Sequence, residues 1–228
     1  MNAQVEKLMK ENGAALVGFA DLRDIAPEGY PRGVSVAIGV PPDIVRMLQQ
    51  GGPNARYLAE YRAMNEKLDE LITLGAAFFR RQGYRALARR VAEVPQWDYR
   101  TPLPHKTVAT RAALGWIGKS ALLVTPQYGP AVRISTILTD APLQCAEPIT
   151  TSRCGKCSVC VDNCPGKAIS GTLWEAGMDR DALFELDKCM GACHEMTRSS
   201  DIGQGMTLCG RCFAVCPYTK RYLRKIRH

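Results

Sequence analysis

The sequence predicts an α+β protein in two parts, a mixed region of helices and strands followed by a compact, cysteine-rich domain. Two observations predict this division. Apolar residues in the first 140 positions recur at both helical and strand spacing, and all ten cysteines lie at or after Cys145. A length of 228 residues is enough for one ordinary domain and a smaller one. We therefore predict domains at 1–142 and 143–228.

The first part begins with a helix and two strands. An amphipathic helix is predicted near 3–12, because Gly13 is a common stop signal at a helix end. Short apolar runs at 14–20 and 33–40 are bounded by Gly, Pro and Asp, which is typical of buried strands. A Pro-Pro pair ends the second run.

A long helix and two further strands follow. Apolar residues between 53 and 82 recur near helical spacing, and Gly83 closes the segment. Strands are predicted at 121–125 and 131–138, separated by the turn-like stretch 126–130 with its two prolines and glycine.

Several functional classes are excluded. No apolar run approaches the roughly 18–20 residues that a membrane span requires, and the amino terminus has no signal-peptide core. We therefore expect a cytoplasmic protein with no membrane partner. The chain lacks both a Gly-x-Gly-x-x-Gly fingerprint and a P-loop, so neither an NAD-linked nor an ATP-driven enzyme is indicated, while flavin stays open. The only basic run, 220–228, is interpreted as a solvated helix end.

A closely spaced run of cysteines opens the second part. Its spacing of two, two and three intervening residues, with Pro165 after the last, is that of bacterial ferredoxins, whose thiolates bind a four-iron cubane. A disulfide framework is disfavoured because cytosolic thiols stay reduced. Zinc is the lesser alternative, since it requires only pairs of cysteines. The run consists of Cys154, Cys157, Cys160 and Cys164.

A second run, Cys209, Cys212 and Cys216 with Pro217, lacks its leading cysteine. A remote thiolate must replace it, and Cys189 and Cys193 are the candidates.

The ferredoxin pattern assigns the ligands, because the fourth cysteine of each run binds the other cluster. Cluster one is predicted to take Cys154, Cys157, Cys160 and Cys216. Cluster two is predicted to take Cys164, Cys209, Cys212 and the remote cysteine. Each cluster with its thiolates carries a charge of −2, so the formal net charge of +8 falls to about +4 and becomes a weak argument for nucleic acid. Cys145 is interpreted as a small buried hydrophobe.

The stretch 111–120, with the core Leu-Gly-Trp-Ile-Gly-Lys, precedes the strand-like 137–140 and the double-cluster part. In this combination the chain resembles the epoxyqueuosine reductases and, more distantly, the reductive dehalogenases, well over 95–217 and in outline before that. The resemblance implies a nitroreductase-like first domain that holds a corrinoid, cobalamin, base-off. It also implies that Cys189 is the remote ligand, because Cys189 occupies the matching position before an insertion.

The resemblance further implies that the corrinoid contacts Leu114, Gly115, Trp116, Gly118 and Lys119. The residue types suit this role, since the two glycines let backbone approach a flat ligand and Trp116 offers a large apolar face. The alternative is a tight turn with Trp116 in the core and Lys119 exposed.

The family's proton donor is replaced here. The Asp-x-x-Pro motif of the family becomes Tyr99-Arg100-Thr101-Pro102, with Asp98 one place away, and its Pro-x-x-Glu motif ends in His105. Tyr99, Asp98 and His105 are therefore the candidate acids. A tyrosine resembles the donor of reductive dehalogenases, and a histidine can donate near neutral pH, although an isolated histidine is more often structural.

The leading hypothesis is a corrinoid-dependent iron–sulfur reductase that takes electrons from a low-potential ferredoxin or flavodoxin and reduces an unknown small molecule. Epoxyqueuosine reductases carry a helical-repeat extension that helps hold tRNA, and the sequence ends at His228, so we expect tRNA not to be the substrate. One alternative is an electron-transfer or cobalamin-reducing protein that serves a partner. Another is a ferredoxin-like carrier whose first domain only docks a partner.

Overall fold

The structure, a computed structural model, describes residues 1–90, 100–203 and 206–226. The helices are α1 (Asn2–Glu11), α2 (Pro42–Gln50), α3 (Ala55–Arg81), α4 (His105–Arg111), α5 (Val159–Asp162), α6 (Leu186–Arg198), α7 (Arg211–Ala214) and α8 (Pro217–Lys225). The strands are β1 (Leu16–Asp21), β2 (Arg32–Gly39), β3 (Ala86–Ala88), β4 (Trp116–Ile117), β5 (Leu123–Val124) and β6 (Val132–Thr139). The predicted mixture of helices and strands is confirmed.

The chain divides into two compact units that interleave along the sequence. Unit 1 comprises Met1–Gly39, Ala63–Gly115 and Arg133–Ile149. Unit 2 comprises Val40–Arg62, Trp116–Val132 and Thr150–His228. The sequence predicts a single domain boundary, between 142 and 143, and that boundary stays a prediction.

Unit 1 is built on a four-stranded sheet in the order β1-β2-β6-β3. Strand β1 runs antiparallel to β2 with Leu16 opposite Ala37, and β3 runs antiparallel to β6 with Leu87 opposite Leu138. Its core is apolar, because α1, α3, α4 and the sheet all bury aliphatic or aromatic side chains. One core cluster joins Ala20, Leu22, Leu103, Val108, Ala112 and Leu138.

Local patterns predict the first elements of the chain and miss one helix among them. The structure confirms five predicted elements, and each observed end lies within two residues of the predicted one. They are the helices near 3–12 and 53–82 and the strands near 14–20, 33–40 and 131–138. Helix α2 was missed, because the prolines before it were interpreted only as the end of a strand. Pro42 instead begins the helix, where the missing N–H of proline is not needed and its fixed φ suits the first turn.

Unit 2 gathers the cysteine-rich part with two segments from earlier in the chain. Gln49 donates from Nε2 to the Ala214 carbonyl at 2.7 Å, and Arg211 donates back to the Gln49 carbonyl at 2.9 Å, so α2 packs on α7. The hydroxyl of Tyr222 donates to the Val40 carbonyl at 2.9 Å. These long-range contacts explain why 40–62 belongs with unit 2.

The predicted strand at 121–125 is reduced to β5, which pairs with β4 as a short antiparallel hairpin. The predicted turn after it is confirmed by a bridge between Thr125 and Gly129. Gly129 has φ +61°, and a Cβ there would lie 2.5 Å from the backbone nitrogen of Thr219. This turn therefore requires glycine. Within the described parts of the chain, no helix has the length and apolar character that crossing a bilayer demands.

Candidate iron–sulfur centre and reduction site

The first cysteine run folds as tight turns that lead into α5. The Cys157 N–H donates to the Cys154 carbonyl at 3.2 Å, and Gly155 between them has φ +53°. Helix α5 carries Cys160, and the Cys164 N–H donates to the Val161 carbonyl at 3.2 Å. Successive thiols are thereby held close together by backbone hydrogen bonds alone.

The second run repeats this arrangement on α7 and α8. Gly210, with φ +79°, directly follows Cys209 and precedes α7, which carries Cys212. Cys216 precedes α8, whose first residue is Pro217. Helices α5 and α7 contact each other, so the two runs lie side by side within unit 2.

The four cysteines predicted for cluster one come together. Burial, together with the neighbouring sulfurs of Cys154, Cys216 and Cys157, raises the pKa of Cys160 to about 11. Burial also raises the pKa of Cys216, and the sulfurs of Cys154 and Cys157 add to this effect. The set combines three thiols of the first run with the last thiol of the second run, which is the crossed arrangement of a two-cluster ferredoxin.

The cysteines predicted for cluster two also come together. Burial raises the pKa of Cys212 above its usual range, and the sulfurs that add to this effect are those of Cys209, Cys189, Cys160 and Cys164. Three of these four belong to the predicted set, and Cys160 of the neighbouring set lies near as well. Among the described residues no group of three or more His, Cys, Asp and Glu side chains is close enough to hold a single metal ion. A cubane makes a different demand, because each of its four thiolates binds a different iron. The soft sulfur donors, four in each set, fit such clusters.

Helix α6 brings both candidate remote ligands to cluster two. The Cys193 thiol hydrogen-bonds to the sulfurs of Cys189 and Cys209, which lowers the pKa of each of those two thiols to about 7. Those two hydrogen bonds and burial raise the pKa of Cys193 itself. Cys193 is buried and Cys189 half-buried, and both lie beside Cys209. The preference for Cys189 stays a prediction.

Two backbone amides point at cluster sulfurs. The Ala168 N–H donates to Cys164 Sγ at 3.4 Å, and the Arg211 N–H donates to Cys209 Sγ at 3.4 Å. Hydrogen bonds of this kind tune the reduction potential of a bound cluster. Cys145 is half-buried in unit 1, with its thiol 3.5 Å from the Leu143 carbonyl, and His194 is exposed on α6.

Trp116 and Gly118 of the Leu-Gly-Trp-Ile-Gly-Lys motif are engaged inside unit 2. Trp116 is 1% exposed, and its ring meets the Tyr218 ring edge-on at 5.0 Å, with the Arg153 guanidinium 5.7 Å from its centroid. A Cβ at Gly118 would lie 2.7 Å from Val124 Cγ2 and 3.5 Å from Cys154 Sγ. The geometry favours the alternative interpretation for these two residues, a tight turn with tryptophan in the core.

The other three positions of the motif differ in environment. Leu114 is half-buried and packs against the core cluster of unit 1, while Gly115 is buried and Lys119 half-buried. A corrinoid contact at any of the five predicted positions stays a prediction. Trp116 would have to become exposed to take part in one.

Two of the three candidate acids, Asp98 and Tyr99, lie outside the described residues. The third, His105, begins α4 in unit 1, and its Nδ1 lies 2.9 Å from Thr136 Oγ1. Burial, with smaller contributions from Arg89 and Arg133, lowers the pKa of His105 to about 4. His105 is therefore neutral at pH 7, so only a small fraction carries a proton to donate.

The sequence does not single out Arg89 and Arg133, the two cations whose charges help to lower the pKa of His105. No motif marks either residue. They are brought together because the chain after β3 continues to pair with β6, where the Arg89 N–H donates to the Thr136 carbonyl at 3.0 Å. Only the pairing of distant strands reveals this grouping.

Comparison with known proteins bears on this arrangement. Residues 153–219 match the family described as a 4Fe-4S double cluster binding domain. An epoxyqueuosine reductase of Pseudomonas aeruginosa is 29% identical over 199 residues, which cover 84% of this chain and 52% of that protein. The enzyme of that name from Synechococcus sp. (strain CC9605) is 36% identical over 123 residues, covering 54% of this chain and 38% of the relative. The resemblance to the epoxyqueuosine reductases is confirmed.

Solved structures show that the fold is shared as well. An epoxyqueuosine reductase solved with a tRNA-Tyr epoxyqueuosine-modified stem loop has a TM-score of 0.62 at 20% identity, covering 96% of this chain and 65% of that one. A catabolic reductive dehalogenase solved with 3-bromo-4-hydroxybenzoic acid has a TM-score of 0.71 at 21% identity, and the match covers 94% of this chain and 31% of the dehalogenase. The chain spans 38% and 52% of the two epoxyqueuosine reductases compared by sequence.

Proposed function

We propose that this chain is an iron–sulfur oxidoreductase related to the epoxyqueuosine reductases, which reduces an organic substrate with cobalamin as a second cofactor. The observation that carries this proposal is the gathering of the cysteines of unit 2, within the segment that matches a double-cluster domain. We assign them to two crossed sets of four. Bound four-iron clusters supply one-electron transfer at low potential. A ferredoxin or flavodoxin is the matching class of electron donor.

The proposal of cobalamin as a cofactor rests on resemblance to known structures. One structural relative is a reductive dehalogenase whose structure suggests a mechanism for B12-dependent dehalogenation, with a TM-score of 0.71 at 20% identity. Bound cobalamin would supply a strongly nucleophilic metal centre for two-electron reduction. We place it with the motif at 114–119 and propose a nitroreductase-like organisation for unit 1. The described residues form no preformed cradle for a corrinoid at Trp116 and Gly118, because the indole is buried and the space beside Gly118 is filled.

The proton needed for reduction is proposed to come from Tyr99 or Asp98. His105 is the weaker acid candidate at pH 7, because burial and two arginines keep its imidazole neutral. The neutral imidazole, whose Nδ1 lies 2.9 Å from Thr136 Oγ1, can instead act as a hydrogen-bonding group in a fixed position. A cytoplasmic location is part of the same proposal.

The second candidate function is electron transfer to cobalamin, or handling of cobalamin, on behalf of a partner and without an organic substrate. The buried indole of Trp116 favours it, because the motif shows no open platform for a corrinoid with substrate above it. A ferredoxin-like carrier that binds no corrinoid is the simplest form of this alternative.

The deciding experiment uses full-length chain whose clusters are reconstituted without oxygen. Iron and sulfide analysis with Mössbauer spectra should give about eight of each per chain, whereas about four irons or stoichiometric zinc would contradict the two-cluster assignment. A shift of the visible corrinoid bands on adding cobalamin supports either corrinoid function, and its absence favours the carrier. A Cys209→Ala chain is the control that lacks an intact cluster two.

Turnover then separates the enzyme from the cobalamin-handling protein. Two substrates follow from the relatives, an epoxyqueuosine-modified tRNA stem loop and 3-bromo-4-hydroxybenzoic acid. Reduction of the small acid alone would agree with our expectation that tRNA is not the substrate. Reduction of the stem loop would overturn that expectation and keep the proposed enzyme class. Cobalamin binding without turnover of either compound favours the cobalamin-handling function.

A further inference from the structure

A group of polar side chains in unit 1 surrounds the end of β3 and the middle of β6. The Arg89 N–H donates to the Thr136 carbonyl at 3.0 Å, and the Ser135 hydroxyl donates to the Arg89 carbonyl at 3.3 Å. The imidazole of His105 lies 2.9 Å from the Thr136 hydroxyl, and the positive charge of Arg133 acts on that imidazole together with that of Arg89. These hydrogen bonds therefore fix the backbone of Arg89 and the place of its Cα.

Among the described residues, the Arg89 guanidinium has no acidic partner of the kind that Arg85 and Arg111 have. Its Nη2 donates to the Thr101 hydroxyl at 3.2 Å, while its Nε is buried without a hydrogen-bond partner. In the same unit, Arg85 pairs with Asp140 at 2.9 Å and Arg111 pairs with Asp24 at 2.5 Å. Among residues 1–90, 100–203 and 206–226, no carboxylate forms an ion pair with Arg89.

This arrangement is costly unless an anion completes it. A half-buried cation loses hydration, and a buried donor with no acceptor adds to that cost. Arg89 and Arg133 both act on His105 as positive charges, and the imidazole itself is neutral at pH 7. A guanidinium that is partly removed from water attracts ligands of the opposite charge.

We propose that Arg89, with Arg133 and His105 beside it, forms an oxyanion subsite that binds a carboxylate or phosphate group of a ligand. The planar fork of a guanidinium matches two oxygens of such a group. The Thr101 hydroxyl, which accepts from Arg89, keeps its own proton to donate to the same group. This proposal adds an anionic substrate class to the proposed function. It rests on the proposed function only for the role that the bound ligand plays.

The oxyanion has two possible sources with the same chemistry. It is either the acidic group of an organic substrate or the phosphate in the nucleotide tail of a corrinoid. The subsite itself can be tested before either source is known, because simple oxyanions present the same two oxygens.

The first test uses the full chain with reconstituted clusters and no corrinoid. Calorimetric titration with benzoate and with inorganic phosphate should show binding, whereas benzamide, a neutral analogue of benzoate, should not bind. Arg89→Gln should weaken binding of the oxyanion roughly tenfold or more, the loss expected for a charge-assisted hydrogen bond. Arg81→Gln, at the exposed end of α3 in the same unit, is the matched control and should bind like the parent.

Thermal unfolding separates a ligand site from a structural role. Arg89→Gln should unfold at the same or a higher temperature than the parent without ligand, because it removes an uncompensated charge, and should lose the rise in midpoint that benzoate or phosphate gives the parent. A ligand-free midpoint well below that of the parent, or failure to fold, would show that Arg89 supports the fold and would overturn the proposal. Equal binding by Arg89→Gln and the parent, or no binding by the parent, would also overturn it.

A comparison of cobalamin with cobinamide, which lacks the nucleotide tail and its phosphate, distinguishes the two sources. Weaker binding of cobalamin alone by Arg89→Gln assigns the subsite to the corrinoid phosphate. If Arg89→Gln binds both corrinoids like the parent, and the parent binds benzoate and cobalamin at the same time, the subsite belongs to the substrate. If the parent binds oxyanions but no corrinoid, the cofactor proposal fails while the subsite stands.

Discussion

The chemistry of His105 departs from what its residue type suggests. A histidine ordinarily titrates near 6.5, but burial and the nearby charges of Arg89 and Arg133 disfavour the imidazolium. Because the native pKa lies below the unfolded value, the neutral form stabilises the fold above about pH 6.5, and this contribution is lost as pH falls towards about 4. A general acid with such a pKa is almost fully deprotonated at pH 7.

This shift gives the first prediction, that His105 titrates near pH 4. The chain has only three histidines, so imidazole resonances in a heteronuclear NMR titration can be assigned with a His105→Gln variant. Arg89→Gln should raise the pKa of His105, because it removes one of the two positive charges. A value near 6.5 in the parent would show that the imidazole is more hydrated than its surroundings indicate.

The remote cysteine gives a second prediction, also at the scale of single residues. Cys189→Ala should lose one cluster, about four of eight irons, whereas Cys193→Ala should retain both. Cys193 hydrogen-bonds to Cys189 and Cys209, so in protein without clusters its loss should also change the pH at which those two thiols ionise. Iron analysis with Mössbauer spectra provides the measurement. The reverse pattern would make Cys193 the ligand.

At the scale of elements, the hairpin β4–β5 supports the first cysteine run. A methyl group at Gly118 would lie 2.7 Å from Val124 Cγ2 and 3.5 Å from Cys154 Sγ, both inside unit 2. The third prediction is that Gly118→Ala destabilises the protein by about 1–3 kcal/mol, the usual cost of overpacking. The temperature at which the cluster absorbance is lost measures the effect.

Gly191 provides the matched control for this change. It lies on α6 between the two candidate ligands, and a Cβ there would meet nothing within 4 Å. Gly191→Ala should therefore stabilise the helix by roughly 0.5–1 kcal/mol, because alanine has less backbone entropy to lose. Equal behaviour of the two variants would mean that the hairpin can shift away from the added methyl group.

At the scale of the whole molecule, the proposed corrinoid function makes the fourth prediction. Gly115→Leu should abolish the shift of the corrinoid bands by steric overlap, while both clusters still assemble. Tyr99→Phe should bind cobalamin like the parent and lower the turnover of any substrate found, because the phenolic proton is lost. If Gly115→Leu binds cobalamin as tightly as the parent, the motif is not the corrinoid site.

Much of the molecule follows from local sequence. The x2-x2-x3 spacing of the first run directly dictates tight turns, and the structure forms them with backbone hydrogen bonds between neighbouring residues. Apolar periodicity and stop signals likewise predict α1, α3 and the longer strands, because these depend on neighbours a few residues away. One further rule, the exchange of the fourth ligand, assigns seven cysteines to the two clusters, whereas the choice of Cys189 as the eighth rests on the family resemblance. The assignment stays a prediction.

Tertiary structure alone decided the remaining features. Segments 40–62 and 116–132 belong with the cysteine-rich unit through contacts with residues far along the chain, and the Trp116 ring is buried against Tyr218, about a hundred residues later. Arg89 and Arg133 act together on His105 only because β3 pairs with β6. Local periodicity records which side chains are buried, but not which distant segments bury them, and it carries no information on where unpaired charges meet.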